Sequence, residues 1–147
     1  MIPGNKLLIG RIDKVDFPEL NVKNVDAKID TGAFSASLHC SDIKAFLKND
    51  KLFVKFCLFN DTNHKEHEFK VDSIKQVKNS FGQIENRYII KTKISLFGRK
   101  YTTDVALSNR STMRFPVLIG RKLLAGKFVV DVRQQYVSFK LSKHKKK

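Results

Sequence analysis

The sequence of 147 residues is poor in the residues that cross-link small domains or span membranes. It contains two cysteines, Cys40 and Cys57, three prolines and no tryptophan. Two cysteines are too few for a disulfide framework and lack the spacing of a metal site, so we expect buried, reduced thiols. No apolar run approaches the roughly 18 residues of a membrane span, and the N terminus lacks the layout of a secretory signal. We therefore expect a cytoplasmic protein with no membrane partner.

Acidic residues are scarce beside basic ones. Fourteen Asp and Glu residues face 29 Lys and Arg, which gives a formal net charge of +15. Such an excess favours an anionic partner, for example an acidic protein, the ribosome or RNA. Part of it lies in residues 142–147, which we expect to form a disordered basic tail. No aromatic signature of the common RNA-binding modules is present, so direct binding to nucleic acid stays open.

Long helical periods are also missing, and aromatic and β-branched residues recur in short runs between turn signals. This pattern predicts an all-β domain, with its hairpins forming a closed barrel or sandwich. One short C-terminal helix is expected at Arg121–Ala125, with Gly126 as its stop. Without a repeat or a linker, we expect one domain over residues 1–147, with its core at 6–141. The predicted strands are Lys6–Asp13, Val25–Ile29, Leu52–Asn60, Glu66–Val77, Arg87–Phe97, Lys100–Leu107, Val117–Ile119, Phe128–Arg133 and Tyr136–Phe139.

One predicted strand ends abruptly in a carboxylate, a hydroxyl and two small residues, Asp30-Thr31-Gly32-Ala33. Gly32 permits backbone geometry that is closed to other residues, and the lack of bulk lets another backbone approach closely. Taken alone, the segment fits either an active-site loop or an ordinary polar turn.

Two separated motifs resemble those of the retropepsin-like aspartic proteases. The first is the family's apolar-Asp-Thr-Gly-Ala, at Ile29–Ala33. The second is its apolar-apolar-Gly-Arg, at Val117–Leu124, which runs into a short helix. Between them, Arg87–Tyr101 occupies the place of the hairpin that follows the flap. The resemblance covers nearly the whole chain and implies a retropepsin-like closed barrel.

Segments Ala27–His39 and Ser108–Arg121 resemble more closely a bacterial family labelled putative ATP-dependent zinc proteases. Some of its members accompany RimK-type ATP-grasp enzymes, which ligate glutamate onto protein tails. The residues support neither ATP binding nor zinc binding. No Gly-rich phosphate loop is present, and the pair His64 and His67 lacks the His-Glu-x-x-His register. We expect no cofactor and no metal, although metal binding by His39 or by that pair stays open.

The resemblance implies an aspartic endopeptidase with Asp30, Thr31 and Gly32 at its catalytic centre. Aspartic proteolysis needs two carboxylates that share a proton, one as base towards water and one as acid towards the carbonyl. The chain has one Asp-Thr-Gly, since Asp131 lacks the following Thr-Gly. We therefore expect a homodimer in which two Asp30 side chains meet across a two-fold axis and Thr31 hydrogen-bonds across it.

The resemblance also places substrate-binding residues around the catalytic loop. Residues 79–82 would form the flap tip that closes over a peptide, although an ordinary hairpin turn is the alternative. Arginine binds carboxylates through paired hydrogen bonds, so Arg110 and Arg114 predict an acidic or glutamate-rich peptide or protein substrate. The alternative is that both arginines belong to a solvated basic face. The expected substrate-binding residues are Ala33, Ser35, Asn79, Ser80, Phe81, Gly82, Arg110 and Arg114.

The sequence departs from its relatives at two places near the catalytic loop. Phe34 stands where many retroviral members carry an acidic residue that pairs with the arginine of the Gly-Arg motif. Arg121, which with Gly120 is expected to support the loop, therefore needs another partner. Ser35-Ala36-Ser37 also replaces the usual Thr-Ser-Ala. The alternative functions are a catalytically silent basic module that binds an acidic protein, the ribosome or RNA, and a zinc hydrolase.

Overall fold

The computed structural model describes residues 4–59, 61–78, 81–109 and 114–144, and strands dominate it. Two helices, α1 (Arg121–Leu124) and α2 (Val137–His144), and a single 3₁₀ turn at Pro18–Leu20 accompany the strands in this part of the chain. None of the described helices is long and apolar enough to cross a membrane. The strands are β1 (Leu7–Ile9), β2 (Ile12–Phe17), β3 (Val22–Ile29), β4 (Ala36–Lys48), β5 (Lys51–Leu58), β6 (Glu66–Lys70), β7 (Ser73–Lys78), β8 (Ile84–Leu96), β9 (Arg99–Ser108), β10 (Val117–Ile119) and β11 (Phe128–Val130).

Six strands close into a barrel in the order β10-β3-β2-β8-β9-β4, because β4 also pairs with β10. β10 lies parallel to β3, with Ile119 beside Ile29, and antiparallel to β4, with Val117 beside Leu38. Closure gives each of the six strands a neighbour on both sides and leaves none as a free edge. The predicted all-β closed barrel with a short C-terminal helix is thus confirmed.

Strict alternation along the strands fills the barrel interior. Val15 and Phe17 of β2 are fully buried, and Asp16 between them faces outwards. In β10 the same alternation buries Val117 and Ile119 and leaves Leu118 half-buried on the outer face. Burying such a side chain stabilises the fold by roughly 1.5–3 kcal/mol, so β10 is held firmly despite its three residues.

Two hairpins extend beyond the barrel. β4 runs for 13 residues, and its second half pairs with β5, which in turn pairs with β6. β7 pairs with the first half of β8 and leaves its own side chains largely exposed. This second hairpin corresponds to the predicted flap.

Several predicted strand boundaries are wrong for identifiable reasons. β4 was not predicted, because its pattern is interrupted where Asp42 takes a positive φ of 52° and the register with β5 shifts. The predicted strand Glu66–Val77 is two strands, since Val71 donates to Leu52 of β5 and Asp72 donates to Ile89 of β8. The predicted strand Lys6–Asp13 is also two strands, interrupted at Gly10, where a Cβ would lie 2.3 Å from the Gln134 carbonyl oxygen.

The prediction of a strand at Tyr136–Phe139 is wrong, because α2 begins there. The buried carboxylate of Asp13 accepts hydrogen bonds from the backbone N–H groups of Ser138 (2.9 Å) and Phe139 (3.2 Å), which caps the helix. Burial raises the pKa of Asp13, while these hydrogen bonds oppose the rise. Residues 142–144 of the expected tail belong to α2, and 145–147 lie outside the described residues.

Candidate active site

Asp30 stands at the end of β3, in the loop that leads to β4. Its N–H donates to the carbonyl of Ile119 in β10 (2.8 Å), which continues the ladder between β3 and β10. One carboxylate oxygen, Oδ1, accepts the N–H of Gly32 (3.0 Å), and the Asp30 carbonyl accepts the N–H of Ala33 (3.2 Å). The half-buried carboxylate is therefore held by its own loop, and the backbone of Asp30 is held by the strand of the second motif.

The second motif fixes the loop from the other side. The N–H of Arg121 donates to Ala33 (2.8 Å), and the N–H of Lys122 donates to the Phe34 carbonyl (2.8 Å). Gly120 makes this approach possible, since a Cβ there would lie 2.6 Å from the Ser35 carbonyl oxygen and 2.7 Å from that of Ala33. Its φ of −97° is open to any residue, so the requirement for glycine is steric.

Arg121 interacts with a main-chain carbonyl and an aromatic ring instead of an acidic side chain. Its Nη1 donates to the main-chain oxygen of Thr31 (3.0 Å). Its guanidinium lies 5.9 Å from the ring centroid of Phe34, which is 54% exposed. A carbonyl and an aromatic face thus take the role of the acidic residue that the family resemblance led us to look for.

Asp30 opens into a cleft of about 560 Å³ on the outer face of β2, β3 and β10. The floor is apolar, and three cationic side chains, Arg11, Lys28 and Arg114, stand around the carboxylate. Asp30 is the one carboxylate that lines this cleft in the described part of the chain. The floor consists of Ile12, Phe115 and Leu118.

Two of these cations were not predicted from the sequence. Lys28 precedes Asp30 by two residues on one strand, so strand alternation already puts both on the same face, and this signal was available. Arg11 reaches the site because Ile12 pairs with Lys28 across the β2–β3 ladder. Its Nη1 donates to the carbonyl of Val132 (3.2 Å), a contact that only the tertiary fold creates.

Of the remaining predicted substrate residues, those that the structure describes do not line the cleft with Asp30. Phe81, 87% exposed, and Gly82, with a positive φ of 79°, stand at the tip of the β7–β8 hairpin and do not line the cleft. Ala33 and Ser35 are half-buried in the catalytic loop and also do not line it. Asn79, Ser80 and Arg110 lie outside the described residues.

Asp131 is engaged elsewhere, as expected for a carboxylate without the Thr-Gly context. It accepts hydrogen bonds from Nε (3.1 Å) and Nη2 (3.2 Å) of Arg133 and does not line the cleft. The Arg133 guanidinium lowers the pKa of Asp131 to about 2. Asp131 is thus ionised and bonded at neutral pH, away from Asp30.

His39 and His67 line the same cavity, and each packs against an aromatic ring. His39 is buried and stacks on Phe59 at 4.2 Å, and burial lowers its pKa. His67 packs against Phe56 at 5.7 Å, and burial lowers its pKa also, while His64 occupies an exposed turn. In the ranges that the structure covers, no three His, Cys, Asp or Glu side chains group to hold a metal.

The two motifs therefore meet in space, and sequence comparison agrees with their geometry. A sequence model of the RimB-like family, described as "Retropepsin-like aspartic endopeptidase RimB", matches residues 8–140. The chain belongs to this family. The resemblance read from the Asp-Thr-Gly-Ala and Gly-Arg motifs is confirmed.

Other proteins share this RimB-like domain. Two proteins named probable alpha-L-glutamate ligase, from Shewanella halifaxensis and Shewanella pealeana, are each 32% identical over 136 residues, 90% of this chain. The chain spans only 30% of the length of either relative. The crystal structure of a protein of unknown function from Legionella pneumophila is similar at a TM-score of 0.72 and 26% identity, covering 92% of this chain and 99% of that one.

Proposed function

We propose that this RimB-like chain is an aspartic peptidase that acts as a homodimer on acidic or glutamate-rich protein tails. One observation carries the proposal: both family motifs hold Asp30 at the mouth of a cleft whose other charged groups are cationic. The family's description as an aspartic endopeptidase supports the reaction class.

The reaction needs a second carboxylate. With two Asp30 groups sharing one proton, the ionised member removes a proton from water while the protonated member donates to the scissile carbonyl. The described cleft offers one carboxylate, so the second comes from another copy of the chain. Thr31 and Phe34 are exposed beside Asp30 and available for a two-fold contact. The two carboxylates then titrate as a pair.

The cations of the cleft select the substrate. Arg11, Lys28 and Arg114 surround the position where a peptide would meet Asp30. Hydrogen bonds to charged groups contribute roughly 1.5–3 kcal/mol each, enough for about a tenfold preference per carboxylate. The names of the Shewanella relatives, probable alpha-L-glutamate ligases, support a link between this kind of domain and glutamate ligation.

Cleavage of matched peptides tests the proposal. Glutamate-rich peptides and their glutamine counterparts are incubated with the purified chain, products are identified by mass spectrometry, and the oligomeric state is measured by sedimentation in the same buffer. We expect cleavage of the glutamate peptides, a bell-shaped pH profile, and a loss of about 100-fold or more with Asp30→Asn. Cleavage that survives Asp30→Asn, or that a strict monomer performs, contradicts the mechanism.

A second candidate function, binding of an anionic partner without catalysis, is favoured by one sheet face. The strand registers place five lysines on the same side of β4, β5 and β6, around a half-buried pair of stacked rings, Phe46 and Phe53, at 6.1 Å. This lysine face carries one carboxylate that pairs with a lysine, Glu68, in the described chain. Its members are Lys44, Lys48, Lys51, Lys55 and Lys70.

Salt dependence separates this candidate from catalysis. Binding of a single-stranded RNA through the lysine face should weaken steeply with added salt, and Lys51→Gln with Lys55→Gln should reduce that slope. Lys23→Gln, on β3, is the matched control. An Asp30→Asn variant with unchanged binding and cellular function would favour the binding module over the peptidase.

A further inference from the structure

A larger cavity, of about 760 Å³, adjoins the catalytic cleft. Arg114 lines both the cleft and this cavity, so the two lie on either side of one side chain. The cavity is lined by the first half of β3, the 3₁₀ turn before β3, and the segments around His39 and Phe59. We name it the apolar cavity after the apolar half of its lining, which includes Phe17, Leu20, Val25, Leu38, Leu58 and Phe59; the other half of its lining residues are polar or charged.

The acidic groups of the apolar cavity are already used by the protein. Asp26 accepts a hydrogen bond from Lys14 Nζ (3.0 Å) in an ion pair. Asp61 accepts the backbone N–H groups of Asn63 (3.0 Å) and Lys65 (3.1 Å). These two carboxylates therefore organise the walls and do not call for a cationic ligand.

One buried polar side chain of the cavity has a ring nitrogen without a hydrogen-bond partner in the described part of the chain. His39 is only 3% exposed, and its Nδ1 has no hydrogen-bond partner among the residues that the structure describes. Its ring is covered by Phe59, which is 50% exposed at the mouth. Buried polar groups are normally paired, and a cavity of roughly 300–1,000 Å³ that combines apolar walls with converging polar groups is typical of a ligand site.

We propose that the apolar cavity is a specificity subsite that accepts a bulky apolar or aromatic side chain of the same polypeptide whose carboxylates occupy the cleft. The inference rests on the proposed function and follows from the continuity of the two spaces at Arg114. The substrate is then a junction between an apolar-containing segment and an acidic tail, and a uniform chain of glutamates is a poorer ligand.

Direct binding tests the subsite without relying on turnover. The full chain carrying Asp30→Asn is titrated into fluorescent glutamate-rich decapeptides that hold one Phe, moved position by position, and into the matched Ala peptide. We expect one Phe position to bind about tenfold or more tightly than Ala, because a large apolar side chain leaves water. Equal affinities for all peptides, or no binding by any of them, would overturn the subsite.

Filling the cavity provides the second arm. Val25→Phe, which occupies it from β3, should abolish the preference for Phe and leave the affinity for the Ala peptide unchanged. Phe59→Ala, at a half-exposed position, should also reduce the preference. Leu47→Phe, at a 74% exposed position near the end of β4, is the control and should change nothing. A preference that survives both cavity variants overturns the location.

Cleavage by the unmodified chain separates the two proposals. Cleavage of glutamate peptides without any dependence on the Phe overturns the subsite and leaves the peptidase. Phe-dependent binding without cleavage by the unmodified dimer overturns the peptidase and leaves a bivalent peptide-binding site.

Discussion

Gly120→Ala should damage the candidate active site by crowding its supporting backbone. The added Cβ would lie 2.6 Å from the Ser35 carbonyl oxygen, 2.7 Å from that of Ala33 and 2.8 Å from the Phe34 carbonyl carbon. All three atoms are backbone, so the loop itself must move. Overpacking costs about 1–3 kcal/mol, and the two hydrogen bonds from Arg121 and Lys122 add about 1 kcal/mol each, for a loss of roughly 3–5 kcal/mol.

Thermal unfolding and hydrogen exchange measure the two parts of this effect. A loss of that size should lower the Tm by roughly 6–20 °C for a domain of this length. The amides of Arg121 and Lys122 should lose protection, by about tenfold for each 1.4 kcal/mol of local destabilisation. Peptide cleavage should fall further than the stability loss predicts, because Asp30 belongs to the displaced loop.

Gly126→Ala is the matched control. Its Cβ would meet nothing within 4 Å, and its cost comes only from a positive φ of 77°. It should lose about 1–2 kcal/mol and retain protection at Arg121 and Lys122. If Gly120→Ala kept its Tm and its amide protection, or matched Gly126→Ala in both, the steric role of Gly120 would be refuted.

Three further predictions concern the helix cap, a buried histidine and the cleft. Asp13→Ala should destabilise the chain by about 2 kcal/mol in denaturant unfolding, because two N–H groups of α2 lose their acceptor. Asp16→Ala, on the same strand, is the control, and equal losses of stability in the two variants would count against the helix cap. Burial lowers the pKa of His39 below its usual 6.5, so the unfolded state binds the proton first, and the unfolding free energy should fall by up to about 1.4 kcal/mol per pH unit as pH drops through that value. His39→Phe should flatten the plot of unfolding free energy against pH, with His67 leaving a residual slope, and an unchanged plot would refute this role of His39. Lys28→Gln should raise the KM for glutamate peptides about tenfold and leave the KM for glutamine peptides unchanged. Lys23→Gln, outside the cleft, should change neither KM, and equal effects of the two variants would show that Lys28 does not belong to the site.

Local patterns predicted the fold class and the place of Asp30. β10 has the predicted bounds Val117–Ile119, and α1 differs from its prediction by one residue. These elements follow from alternation and glycine punctuation, which act over a few neighbours. The two family motifs likewise predicted that Asp30 and Gly120 belong to one site, and hydrogen bonds through the loop show that they do.

The elements that local patterns missed depend on distant partners. Tyr136–Phe139 has the composition of a strand, yet Asp13, more than a hundred positions earlier, caps a helix there. Arg11 was predicted only as part of the strand Lys6–Asp13, and it lines the cleft because the β2–β3 ladder brings it to Asp30.

The sequence by itself thus determined a closed β domain with a single Asp-Thr-Gly loop and an excess of positive charge. The tertiary structure decided which of those charges surround Asp30, how Arg121 is satisfied by Thr31 and Phe34, and that an apolar cavity adjoins the cleft. The physical reason is range: strand alternation and turn chemistry are set by adjacent residues, whereas the cleft and the cavity are surfaces between elements far apart in the chain.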